Sequence, residues 1–295
     1  MSAMTSNLLA IPEYSETLRH SFPERIAALA VRSLQLEIKT WPKPGLVSHI
    51  DTGSHTDMDA DTFRRSALAI EPFFARLVEA GARNADMPSL RKIGLRAEHA
   101  MMAATHDLNT HRGAIFGMGL LCAAAGLRVA GHADAAMSLG EVVSQRWGGD
   151  MLAGPRLPSS HGELVGRRYG VGGARQEAAS GFSSVYEIGL PALRDATALM
   201  PGNAEAGRVQ ACFALIAVLE DTNLLHRGGI EGLRFAQRAA QSFLDRGGIA
   251  QADWLASAEA IHRAFVDRWL SPGGSADLLA MSVFVRDLDH AGECG

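Results

Sequence analysis

Two short runs of the chain carry nearly the same set of reactive side chains. ATHDLNTHRGA (104–114) and LEDTNLLHRGG (219–229) each hold an Asp, an Asn two residues later, and then His-Arg-Gly. Carboxylate, amide, imidazole and guanidinium groups so close together suit metal, ribose and phosphate binding, and a helix N-terminus beside them would add backbone N–H donors for an anion. The spacer from Asn to His differs by one residue, 109 to 111 against 223 to 226, so an internal duplication does not follow. Two walls of one shared site do fit.

Other polar clusters stand near these in the sequence. The loop KPGLVSHIDTGSHTDMD gathers Lys43, His49, Asp51, His55, Asp57 and Asp59. His55, Asp57 and Asp59 alternate, so in an extended segment they share one side and suit Mg²⁺ or a ribose. Asp59 or Asp61 equally fits the cap of the following helix. Glu98 accompanies the first motif, with Asp107, Asn109, His111 and Arg112 between two apolar stretches. YGVGGARQEAASGF supplies Arg175 and Glu177 among glycines, yet it is neither a P-loop nor a dinucleotide fingerprint, because it follows no strand. In the second motif Asp221, Asn223, His226 and Arg227 precede Gly228-Gly229, and in SPGGSADLLA Ser275 reads as an N-cap.

The elements that must position these groups read as helices. Alternating Val/Ile/Thr runs are nearly absent, while Ala, Leu, Met and Gly are plentiful and aromatics make up 6%. A helix capped by Ser21 opens at Pro23 and stops at Pro42, its apolar stripe running Ile26, Leu29, Ala30, Leu34, Ile38 and Trp41, with Glu37 on or beside it. Further helices are expected over about 60–81, 89–108, 132–147, 185–197, 203–225, 230–246, 250–270 and 276–290. GAIFGMGLLCAAAG (113–126) is apolar on every side and marks a buried central helix. Glycines break the pattern over 148–182. On this reading DTNLLHRGG closes the helix from 203, and Asn223 and His226 continue its apolar stripe. The expectation is an all-α chain: an N-terminal extension over 1–22, partly flexible, then a single helical catalytic domain over 23–290 with polar loops lining a nucleotide cleft.

Taken together, EIKTWPKPGLVSHIDTGSHTDMDADTF, LNTHRGAIFGMGLL, GFSSVYEIGLPAL, DTNLLHRGG and SPGGSADLLA resemble the triphosphoribosyl-dephospho-coenzyme A synthase family, from about residue 25 to 288 and in the family's order. The resemblance implies an all-helical enzyme that joins ATP to 3′-dephospho-coenzyme A, releases adenine and makes the prosthetic-group precursor of an acyl-carrier protein. GLVSHIDTGSHTDMD looks closer to members associated with malonate decarboxylase than to those serving citrate lyase. That chemistry asks for carboxylates at an oxocarbenium-like centre, and for Mg²⁺ and cations on the triphosphate. Glu37, Glu98 and Glu177 are then the candidate catalytic acids. Lys43, His55, Asn109, His111, Arg112, Arg175, Asn223, His226 and Arg227 are the candidate nucleotide-binding residues, and Asp57, Asp107 and Asp221 the candidate Mg²⁺ ligands.

Composition sets the outer limits. The 295 residues are 47% hydrophobic with a net charge of −4, and mean hydropathy is +0.03. Neither nonspecific nucleic-acid binding nor an acidic membrane surface suits this charge. Cys122, Cys212 and Cys294 show no metal spacing, which favours a reducing, cytoplasmic setting. Small-molecule substrates are the expected partners, and a homodimer is compatible with the sequence. Two other readings use the same residues: a Mg²⁺-dependent helical glycohydrolase for an ADP-ribose-like substrate, and a helical nucleotide-binding protein without turnover.

Overall fold

A computed structural model describes residues 21–155 and 161–293. Among them there are α-helices, one π-turn and one 3₁₀ turn, and no strand. The expected extension therefore lies outside the described residues except for Ser21 and Phe22, as do Arg156 to Ser160 and Cys294.

Helix α1 (Phe22–Ile38) starts where Ser21 and Glu24 close a capping box, Glu24 accepting the Ser21 N–H at 2.8 Å. It ends four residues before Pro42, so Trp41 belongs to the following loop rather than to the helical stripe. Helix α2 (Ala60–Ala82) is capped by Asp59, whose Oδ1 accepts the Thr62 N–H at 2.8 Å. Asp61 instead pairs with Arg64 and Arg65 on the surface. Helix α3 (Met87–Ala104) stops short of Leu108, because His106 and Asp107 take left-handed φ of 54° and 64°.

Helix α4 (Arg112–Val129) is the hub. By length and composition it is apolar enough to cross a membrane, but it is the core helix, buried from Ala114 to Leu127 except at Phe116. Its glycines let neighbours in: a Cβ on Gly126 would lie 1.9 Å from the Val78 carbonyl, and one on Gly81 of α2 1.8 Å from that of Ala123. Backbones that close leave no room for any other residue type.

The glycine-broken stretch over 148–182 holds the end of α5 (Leu139–Ala153), then α6 (His161–Tyr169) and α7 (Gly173–Ala179). The π-turn Ser184–Gly189 leads into α8 (Leu190–Leu199), followed by α9 (Ala204–Val218). The second motif does not close a helix. Leu219 is extended (φ −71°, ψ 136°), Asp221 caps α10 (Thr222–Asp245), and Asn223 and His226 are exposed on its first turns rather than part of an apolar stripe. Gly229 (φ 60°, ψ −162°) kinks α10, which is why the sequence reads as two helices around that point. After a 3₁₀ turn at 248–250 come α11 (Trp254–Val266), shorter than the expected 250–270, and α12 (Gly273–Glu293). One hydrophobic cluster runs from α1 through α4 to α12.

Candidate active site

Three helices begin at the same place. Asp221 is 1% exposed and joins two of them: Oδ1 accepts N–H bonds from Asn223 (2.8 Å) and Leu224 (3.4 Å) at the start of α10. Its Oδ2 accepts the backbone N–H (2.9 Å) and the hydroxyl (3.2 Å) of Ser275 at the start of α12. Two residues on, Asp277 accepts the Ala114 N–H at the start of α4. The N-termini of α4, α10 and α12 thus converge on two carboxylates, each lending positive dipole to the same pair of acids.

Glycines make the convergence feasible. A Cβ at Gly113 would sit 1.9 Å from Asp277 Oδ2, and one at Gly274 3.1 Å from Asp221 Oδ2.

Lys43 and Glu37 complete the floor. Lys43 is wholly buried, and its Nζ pairs with Glu37 Oε1. Burial raises the Glu37 pKa against the pull of the Lys43 charge. Burial also raises Asp221, opposed by its N–H bonds, and lifts Asp277 well above the carboxylate range with help from the Glu37 and Asp221 charges. Three acids thus gather near one buried lysine, each held above the ordinary carboxylate pKa chiefly by burial.

His111 is the fourth wall. Its Nδ1 is 2.6 Å from Ser66 Oγ, which accepts from Thr110 Oγ1 at 2.6 Å, and the ring stands edge-on to Phe63 at 5.1 Å. Burial and then the nearby Lys43 charge lower its pKa to about 3, so the imidazole is neutral in use. Cys212, beside this group, is pushed up to about 12 by burial and is inert.

The loop carrying Lys43 is held from outside. His262 Nδ1 lies 2.7 Å from the Lys43 carbonyl, and its Nε2 is 3.2 Å from Asp51. Gly45 (φ 67°) admits Leu270, whose carbonyl would be 2.0 Å from a Cβ there. Arg227 staples the same loop, donating to the carbonyls of Ser54 (2.9 Å) and Trp269 (3.0 Å). His55 sits against that guanidinium at 3.2 Å and against Ser271 at 3.0 Å, with Asp57 3.7 Å away. Burial and the Arg227 charge lower the His55 pKa.

The other candidates make contacts of their own. Asn109 accepts the Arg112 N–H at 3.3 Å, and Arg112 Nε reaches Glu98 at 3.0 Å. Asp107 is exposed at the corner. Glu98 and Arg175 line a cavity of about 650 Å³ between α3, α4 and α5. Arg175 donates to the carbonyls of Met151, Gly154 and Pro155, and Glu177 accepts from the backbone and hydroxyl of Ser184 at 2.8 and 3.0 Å.

Sequence reasoning missed Asp277. Second in the run after Ser275, it reads as an acid placed for the dipole of α12, the ordinary use of Asp in a first turn. The informative signal was its company, a Gly-Gly pair before it and a glycine at 113 across from it. Among the described residues no group of three or more His, Cys, Asp or Glu is placed to hold a metal alone. Mg²⁺ needs only one or two carboxylates when substrate phosphates supply the rest.

Comparison with known proteins places the chain in a family. Residues 23–294 match the family model described as ATP:dephospho-CoA triphosphoribosyl transferase. A relative from Acinetobacter calcoaceticus is 38% identical over 268 residues, 90% of this chain and 91% of that protein. One from Azotobacter vinelandii is 40% identical over 276 residues (92% and 94%), and one from Vibrio cholerae strain M66-2 is 39% identical over 280 (91% and 89%). All three bear the name probable 2-(5′′-triphosphoribosyl)-3′-dephosphocoenzyme-A synthase. No solved structure matches the chain. With a family match over residues 23–294 and relatives 38–40% identical over about nine-tenths of its length, the chain belongs to the ATP:dephospho-CoA triphosphoribosyl transferase family.

Proposed function

We propose that the chain transfers the 5-triphosphoribosyl group of ATP to the 2′-hydroxyl of 3′-dephospho-CoA and releases adenine. The observation that carries this is the convergence of three helix N-termini on Asp221 and Asp277, with Glu37, Lys43 and His111 around them. Helix starts attract phosphates, and acids held above the ordinary carboxylate pKa suit the charge and proton needs of ribosyl transfer.

In this reading the C1–N9 bond of ATP breaks as the 2′-oxygen of the acceptor bonds to C1. The hydroxyl proton passes to a carboxylate, and adenine leaves protonated or hydrogen-bonded on its ring. Glu37 and Asp277 are the acids for these proton movements, since both hold a proton more readily than a solvated carboxylate. Neutral His111 offers a hydrogen bond without charge. Arg112 and Arg227 serve the phosphates. Mg²⁺ would neutralise the triphosphate, with Asp221 as its candidate ligand and Asp57 and Asp107 further out. Walling off water matters, because the same cation would otherwise be hydrolysed.

The test is mass spectrometry of the product after incubation with ATP, Mg²⁺ and dephospho-CoA. A coupled product with one adenine released per turnover supports the transfer. Adenine released equally without the acceptor makes the chain a glycohydrolase, and binding without adenine makes it a nucleotide-binding protein only. Delivery of the product to a malonate decarboxylase carrier protein, the use its loop sequence favours, is tested by supplying that carrier and its transfer enzyme.

A further inference from the structure

The cavity of about 650 Å³ between α3, α4 and α5 is not used by the chemistry above. Its size is that of a site for a drug-sized molecule, and Leu90, Ile115, Phe116, Leu120 and Met151 make its walls apolar. Gly94 lies on α3 along the same wall, and a Cβ added there would meet nothing within 4 Å. A mid-helix glycine costs about 1 kcal/mol against alanine, and here no neighbour requires it. The space it leaves belongs to the cavity.

The cavity continues the site. Ile115 and Phe116 follow Ala114, whose N–H Asp277 accepts, so the apolar wall begins within one turn of the acid cluster, at about 1.5 Å per residue. Glu98 lines the cavity while accepting Arg112 Nε at 3.0 Å, so Arg112 stands at the junction of cavity and cluster. No hydrogen bond to its two terminal nitrogens is described, and its side chain is 47% exposed.

The two substrates differ in what they present. Both carry an adenosine and phosphates, but only the acceptor has a long arm of methyl groups and amides ending in a thiol beyond its diphosphate. We infer that the α3–α4–α5 cavity receives this pantetheine arm, with the diphosphate at Arg112 and the nucleotide turned toward the acid cluster. This rests on the proposed reaction for the identity of the acceptor. Beside charged residues such as Arg91, Glu98 and Asp150, the wall of Leu90, Ile115, Phe116, Leu120 and Met151 offers the arm an apolar surface that a triphosphate cannot use.

Equilibrium binding tests it without turnover. Dephospho-CoA and ADP share the adenosine diphosphate and differ by the arm. The parent protein should bind dephospho-CoA at least tenfold more tightly than ADP, and Gly94→Trp, which fills the cavity, should bring the two within about twofold. Gly94→Ala, too small to fill it, should keep the gap. Gly94→Leu serves if the Trp variant does not fold, judged by circular dichroism and melting. In turnover, Gly94→Trp should raise KM for dephospho-CoA at least tenfold and leave KM for ATP within twofold. Equal binding of the two ligands by the parent, or a gap that survives in a folded Gly94→Trp, overturns the assignment. A rise in KM for ATP alone overturns it in favour of the ATP base. If adenine is never released by the parent, the proposed reaction fails, and the binding comparison still decides the cavity.

Discussion

Asp277 Oδ2 occupies the space in which residue 113 would carry a side chain: a Cβ on Gly113 would lie 1.9 Å from that oxygen. The carboxylate can cap α4 only because position 113 is bare. Gly113→Ala must therefore push Asp277 off the Ala114 N–H by an ångström or more. A displacement of about that size costs on the order of 10²-fold in rate when a group must meet a reacting atom. Adenine release by this variant should fall by that factor while circular dichroism stays helical. Near-parent release would mean that Asp277 takes no part in the reaction.

Asp277 carries a second, pH-dependent consequence. Its folded pKa is raised by burial and by the Glu37 and Asp221 charges. A raised acid supports the fold fully below its unfolded value and loses that support as pH climbs through the folded value, so it weakens the protein from about pH 4 upward. Asp277→Asn keeps an oxygen for Ala114 and does not ionise. At pH 8 the variant should melt on the order of 2 °C or more above the parent, with the difference fading toward pH 4. Its adenine release should drop at least about 10²-fold if the acid moves a proton. A variant that melts lower at pH 8 would contradict the assigned pKa direction.

Much of this is legible in the sequence. The all-helical fold followed from the missing strand pattern, and α4 from an apolar run with no polar face. Glu37 fell on a stripe and is buried there. The break at Leu219–Asp221 was not legible. Asp221 had two competing uses, a polar end to α9 or a cap for α10, and its apolar neighbours continued the helical period across the gap. Tertiary bonds to Ser275, 54 residues away in sequence, settle it for the cap. Asp277 was hidden in the same way, since one acid in a first turn looks alike whether it meets water or a distant helix start. The cavity beside α4 was invisible because it depends on which residues three helices leave unfilled.

His111 gives the opposite pH signature. Its folded pKa of about 3 lies below the usual histidine value of about 6.5, so the unfolded chain binds a proton that the folded one refuses. The stability this neutral ring allows is full above about pH 6.5 and is lost as pH falls from there toward 3, at about 1.4 kcal/mol per pH unit. His111→Gln does not titrate. The difference in unfolding free energy between parent and variant should shift by about 2 kcal/mol between pH 6.5 and 5, measured by urea melts, with the parent losing ground. A pH-independent difference would show that the ring is not buried as described.

Lys43 and Glu37 carry the last expectation, because a phosphate-binding lysine and a structural one behave differently when removed. Lys43 is wholly buried and its Nζ is already engaged by Glu37. Losing one member of such a pair leaves a charge in a dry place, a cost of about 3–5 kcal/mol, whereas replacing both with neutral groups of similar shape is often close to neutral. Lys43→Met alone and Glu37→Gln alone should each melt well below the parent, and the double variant should recover most of the loss. If Lys43 serves only the pair, the recovered double variant should still bind ATP with parent affinity. If it also reaches the triphosphate, the double variant regains its stability but binds ATP at least tenfold more weakly. Melting curves and ATP titrations on the same three variants separate the two roles, since stability reports the Glu37 contact and affinity reports the phosphate.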